Sequence, residues 1–157
     1  MQGKGHTFVS AGDTEVILKA YREWGTDCPR QLDGMFAFAL WDGERQHLFA
    51  ARDRFGIKPF YYAETAGCFR FASNTQALLA AGDVDTRLDP AGLHFQYSLH
   101  GVVPAPHTIL RGIRKLEPAH SLLITPDGTL RTQRYWTLDA RRTDPARTEP
   151  EWVEAIH

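Results

Sequence analysis

Residues 34–62, GMFAFALWDGERQHLFAARDRFGIKPFYY, constrain this chain more than any other stretch. Positions 35–41 form an unbroken apolar run rich in Phe. Side chains alternate along a strand, so Phe36, Phe38 and Leu40 share one face while Met35, Ala37, Ala39 and Trp41 share the other. A strand apolar on both faces needs cover on both. Asp42-Gly43 predicts a two-residue hairpin turn, because that dipeptide tolerates positive φ at both central positions. Residues 46–53 return as a second strand. Arg52-Asp53-Arg54-Phe55-Gly56-Ile57-Lys58-Pro59 is a charged loop, and residues 59–63 open a third strand. A turn at Thr65-Ala66-Gly67 leads to a fourth over 68–72. The expectation is an antiparallel meander buried inside a layered domain.

The remaining segments read as cover for that meander. Ser10 and Asp13 are spaced like a capping box at a helix entry, and Val16, Ile17, Ala20, Tyr21 and Trp24 form one apolar face at helical spacing. Gly25 stops the helix, and residues 29–33 make a short helical connector. Ser73-Asn74-Thr75-Gln76 caps a helix over 76–81, and Asp89-Pro90 starts another that runs to about Leu99. Two prolines keep residues 101–106 extended. Strands over 120–125 and 129–136 flank a Pro126-Asp127-Gly128 turn. Residues 139–148 are polar and poor in apolar side chains, as a linker is, and Glu149-Pro150-Glu151 begins a further helix.

A chain of 157 residues, 43% hydrophobic and 24% charged, has the makeup of an ordinary globular domain. The net charge of −1 with interspersed signs favours neither nucleic acid nor a membrane surface as partner. No apolar run approaches the length of a spanning helix, and the N-terminal residues carry no apolar signal core. Two cysteines far apart in sequence suit a reducing, cytoplasmic setting better than a disulfide framework.

Complete catalytic chemistry is absent from the pattern. None of the seven histidines, His6, His47, His94, His100, His107, His120 and His157, has the helical i, i+4 spacing of a metal site, so no metal is expected. Cys28 lacks a neighbouring base and reads as a packed small apolar group rather than a nucleophile. Two charged features stand out. Asp13 heads the first helix, where it can cap the helix or aim a carboxylate at a ligand's ammonium group. Arg52, Asp53, Arg54 and Lys58 place four charges between two buried strands, which reads as an ion-paired corner that orients the hairpin.

Several ordered blocks carry a family resemblance. Ser10-Ala11-Gly12-Asp13-Thr14-Glu15-Val16-Ile17, then Leu32-x-Gly34-Met35-Phe36-Ala37-Phe38-Ala39-Leu40-Trp41-Asp42, resemble the glutaminase domain of asparagine synthetases. Ala51-Arg52-Asp53-Arg54-Phe55-Gly56-Ile57-Lys58-Pro59, Phe71-Ala72-Ser73 and Pro104-x-Pro106-x-Thr108-Ile109-x-x-Gly112-Ile113 continue the likeness in order, over residues 8–138. The resemblance implies an α+β fold, the αββα sandwich of N-terminal-nucleophile hydrolases, here incomplete and corresponding to the back part of the domain. In that family an amino-terminal cysteine attacks the glutamine amide to form a thioester, with its own α-amino group as base and an oxyanion hole of Asn and Gly. The ammonia released is used by a synthetase domain that activates a carboxylate with ATP.

This chain departs from the family pattern at the start. Gln2 stands where the resemblance wants the cysteine, and the HRGP-type, HRRLSI-type and NGEIYN-type blocks are absent. No catalytic residue is therefore expected within this segment, and of the glutamine-binding set only Asp13 maps. The implied division is a partial glutaminase domain over 1–138, a linker over 139–148, and the start of a truncated synthetase domain over 149–157. The implied partners are glutamine and the synthetase domain of the same parent chain, and a homodimer is also allowed. No cofactor is expected in this segment; ATP and Mg²⁺ belong to the missing synthetase domain. Two alternatives stay open. The 99–110 stretch and Pro118-Ala119-His120, where asparagine synthetases usually have Pro-Gly-His, look somewhat like the branch that forms N-acetylglutaminylglutamine amide. A noncatalytic glutaminase-like binding module is the other.

Overall fold

The computed structural model describes residues 7–140 and 147–156. Gln2, His6, His157 and residues 141–146 of the expected linker lie outside the described residues. Helix α1 spans Asp13–Trp24, and a 3-10 segment follows over Gly25–Gln31. Strands β1 (Ala37–Asp42), β2 (His47–Arg52), β3 (Tyr61–Thr65) and β4 (Cys68–Ala72) come next, then α2 (Thr75–Ala80) and α3 (Pro90–Ser98). Strands β5 (Arg114–Lys115), β6 (His120–Ile124) and β7 (Leu130–Arg134) precede a final helix, α4 (Glu149–Ile156).

The two apolar faces of β1 are covered by different layers. Phe36, Phe38 and Leu40 pack with Ala20, Tyr21 and Cys28 from α1 and the 3-10 segment. Ala37 and Ala39 face a second cluster in which Ala50 and Leu122 meet Phe60 and Tyr62 from the other sheet. The sheet of order β1-β2-β6-β7 therefore lies against the sheet of order β4-β3-β5. Helix α2 contacts β3 and β4, and the buried Ala63 alternates with the inward-facing Tyr62 along β3. The layers thus run α1, sheet, sheet, α2, the αββα order.

The expected meander is in fact two hairpins in two sheets. β2 pairs antiparallel with β6, with Ala50 opposite Leu122, and β3 pairs with β4 and β5. The chain crosses between sheets at residues 53–60, because each hairpin buries a face against the other hairpin rather than beside it. The expected two-residue turn is also corrected. Asp42 pairs with His47 across a four-residue loop. The Asp42 carboxylate accepts the N–H groups of Glu44 (3.0 Å) and Arg45 (3.0 Å), which winds the loop one step further. The left-handed residue is Gln46, with φ of 55°, not Gly43.

The helix entries follow sequence chemistry closely at two sites. Asn74 caps α2 by accepting from Ala77 N, and Asp89 caps α3 by accepting from Ala91 N with Pro90 at the first helical position. Gly25, at φ of 57°, ends α1 and donates its N–H to Tyr21 O. The expected connector over 29–33 is a 3-10 turn that begins earlier, at Gly25. Glu151 in the first turn of α4 reaches back to Thr148, accepting from both Thr148 N (2.7 Å) and Thr148 Oγ1 (2.8 Å).

Candidate functional site

Helix α1 begins two residues later than a Ser10–Asp13 capping box would have it. Its N-cap is Gly12, whose missing side chain supplies no cap, so Asp13 is the first helical residue and not the cap. Asp13 is exposed, and its side chain has no partner among the described residues. The negative charge sits where the unpaired N–H groups of the first turn favour it.

Glu15 does the tying down at this helix start. Its carboxylate accepts from Val9 N (2.9 Å), Ser10 N (2.6 Å) and Ser10 Oγ (2.7 Å). It also pairs with Lys19 Nζ at 2.8 Å, and that ammonium lies 4.5 Å from the centre of the Phe8 ring. The Lys19 hydrogen bond first, then the Val9 and Ser10 donors, hold the Glu15 carboxyl at about 2, well below the ordinary carboxylate range. Residue-by-residue reading of the sequence missed this role, although the signal was present: a glutamate five residues after Ser10 at a helix start.

The 52–58 loop is built differently from an ion-paired corner. Arg52 donates to three carbonyls: Lys58 O (2.8 Å), Leu116 O (2.6 Å) and Gly56 O (2.6 Å). Asp53, only 1% exposed, accepts from Phe55 N (3.1 Å), Ile57 N (3.0 Å) and Lys58 N (3.0 Å). Burial pushes the Asp53 carboxyl up, but the three amides and the Arg52 charge outweigh it and hold it below its usual value. Tyr135 Oη donates to Arg52 O at 2.7 Å. Arg54 reaches outward to Asp33 and lies against Trp136. Lys58 contributes its backbone N–H and C=O to the corner while its side chain is exposed. No hydrogen bond or ion pair among the described residues joins this loop to Asp13, so the two sequence-level candidates are separate features.

Two further features bear on chemistry. Cys28 is fully buried, and burial raises its thiol to about 12, so it is a packed apolar group and not a thiolate at neutral pH. At the far half of α1, Tyr21 Oη bonds Asp42 Oδ2 (3.1 Å) and His47 Nε2 (3.1 Å) beside a groove of about 670 Å³. Among the described residues no group of three His, Cys, Asp or Glu side chains could hold a metal ion, and no helix is long and apolar enough to cross a membrane.

The family model for the glutamine amidotransferase domain matches residues 1–136. The chain belongs to that family. It is 43% identical over 143 residues to asparagine synthetase [glutamine-hydrolyzing] 3 of Bacillus subtilis, covering 90% of this chain and 23% of the relative. With asparagine synthetase [glutamine-hydrolyzing] 1 of the same organism it shares 36% over 149 residues, covering 95% and 23%. The chain thus spans about a quarter of the length of these curated relatives. Among solved structures, the glutamine phosphoribosylpyrophosphate amidotransferase of B. subtilis superposes with a TM-score of 0.56 at 17% identity, over 87% of this chain and 25% of that one. This likeness agrees with the αββα layers and establishes the N-terminal-nucleophile type of fold for this amidotransferase domain.

Proposed function

We propose that this domain is the glutamine-binding back part of the glutaminase in a longer, glutamine-hydrolysing asparagine synthetase. The observation that carries the reading is the family match over residues 1–136, joined to an exposed carboxylate, Asp13, at the first turn of α1. In this reading Asp13 binds the α-ammonium of glutamine, and the side-chain amide points to a cysteine nucleophile outside the described residues. Ammonia released there passes to a synthetase domain of the same protein, where ATP with Mg²⁺ activates aspartate as an adenylate and ammonia displaces AMP to give asparagine. Residues 139–148 serve as the connection and residues 149–157 begin that second domain. The 52–58 loop has a structural part only: it fixes the crossing between sheets.

The experiment has two arms. The purified 157-residue chain, offered glutamine, is expected to release no ammonia above the uncatalysed background, because none of its residues is assigned as the nucleophile and the Cys28 thiol stays protonated. Release that disappears in Cys28→Ser would overturn this. The intact protein, given aspartate, ATP and glutamine, is expected to form asparagine, AMP and pyrophosphate. Amidation of a different carboxylate would move the reading to another amidotransferase of the family, and absence of glutamine turnover in the intact protein would favour a noncatalytic module.

A further inference from the structure

No hydrogen bond or ion pair holds the Asp13 side chain among the described residues, so the path of the backbone sets the place from which its carboxylate reaches out. That backbone enters α1 from a segment without strand pairing, and Val9 within it is 96% exposed. Its hydrogen bonds among the described residues converge on one carboxylate. Glu15 takes the N–H of Val9 and both the N–H and the hydroxyl of Ser10. Ser10 Oγ in turn accepts from Gly12 N at 3.4 Å. Lys19, one turn further along α1, pairs with the same carboxylate and covers Phe8.

An ordinary capping box does less than this. There the glutamate at the third helical position returns to the N–H of the N-cap residue, which satisfies the helix. Here the N-cap is Gly12, and Glu15 passes it to hold Val9 and Ser10, whose N–H groups lie outside the helix. The helix gains little from bonds so far upstream. What they fix is the path of the chain into the first turn.

We infer that Glu15 is a positioning residue for glutamine binding: by clamping Val9 and Ser10 it sets the place and direction from which Asp13 meets the ligand's ammonium group. The inference rests on the reading of Asp13 as the ammonium ligand. A side chain displaced by a fraction of a hydrogen-bond length loses much of a charge-assisted contact, so the effect is felt in substrate affinity. Glutamine in place of Glu15 keeps one acceptor oxygen but turns an amide donor toward a cluster of donors, so it breaks part of the clamp without removing side-chain bulk.

The test measures the glutamine KM and the ammonia-driven synthesis rate of the intact protein in Glu15→Gln, Asp13→Asn and the double variant, with melting temperatures alongside. Glu15→Gln is expected to raise the glutamine KM about 3- to 30-fold and to leave ammonia-driven synthesis unchanged. Combined with Asp13→Asn, it is expected to add nothing further, because it acts through Asp13. A Glu15→Gln protein with a lower melting temperature but the parental KM would reduce Glu15 to a helix cap and overturn the inference, while a raised KM in Asp13→Asn kept the Asp13 reading intact. A parental KM in both single variants would overturn the Asp13 reading and the inference with it. Should Glu15→Gln fail to fold, Ser10→Ala removes one bond of the clamp and is expected to raise KM by a smaller factor, and an unchanged KM there counts against the inference.

Discussion

At the scale of single residues, Asp53 is the charge the fold can least lose. Three backbone amides depend on it, and its own carbonyl accepts from Ala119 N at 2.9 Å. Asp53→Ala leaves those donors unpaired in a buried corner and is expected to cost about 3 kcal/mol in urea denaturation. The carboxyl is held below its unfolded value, so its contribution is fully present above the unfolded pKa of about 4 and is lost as pH falls through the lower folded value. Wild-type stability should accordingly fall faster on acidification than that of Asp53→Asn, and equal acid slopes would count against the assignment. Ala119 shows the same corner from the other side. It sits at φ of 58°, a backbone conformation that favours glycine, and is held there by bonds at both its N–H and its C=O. The four charges were legible in sequence as a corner. Their partners were not, since Leu116 lies 64 positions from Arg52 and Tyr135 lies 83 away.

At the scale of elements, α3 is fitted against a neighbouring backbone at Gly92. A Cβ there would stand 2.0 Å from Thr108 O and 2.8 Å from Thr108 C, both main-chain atoms with little room to move. Gly92→Ala is therefore expected to destabilise the domain by roughly 2–3 kcal/mol despite the better helix propensity of alanine, measured as a shift in the urea midpoint. A neutral or stabilising Gly92→Ala would mean that α3 packs less closely than this. Helix starts were the most legible elements, because Asn74 and Asp89-Pro90 act through atoms two or three residues away. Strand pairing was less so. The alternation in β1 declares two buried faces but does not say which partner covers which, and it cannot separate a four-strand meander from two hairpins stacked face to face. The Asp42-Gly43 turn was misread for a local reason: the Asp42 side chain binds Glu44 and Arg45 N–H and lengthens the loop.

At the scale of the whole molecule, the αββα layers, the amidotransferase family match and the exposed Asp13 carboxylate at the start of α1 support the proposal of a glutamine-binding back part of a glutaminase. The sequence blocks were enough to reach the family and to single out Asp13. The clamp around Asp13 needed the structure, since a glutamate in a first helical turn is ordinarily a dipole partner and only the bonds to Val9 and Ser10 reveal more. Because Asp13 is not the N-cap, Asp13→Asn removes the charge with little cost to the helix, which makes it a clean probe. The measurement that bears most directly on the account is the glutamine KM of Asp13→Asn in the intact protein, read beside synthesis driven by free ammonia. The account predicts a KM higher by about one to three powers of ten, with ammonia-driven synthesis unchanged because it bypasses the glutaminase site. A parental glutamine KM in Asp13→Asn would contradict it.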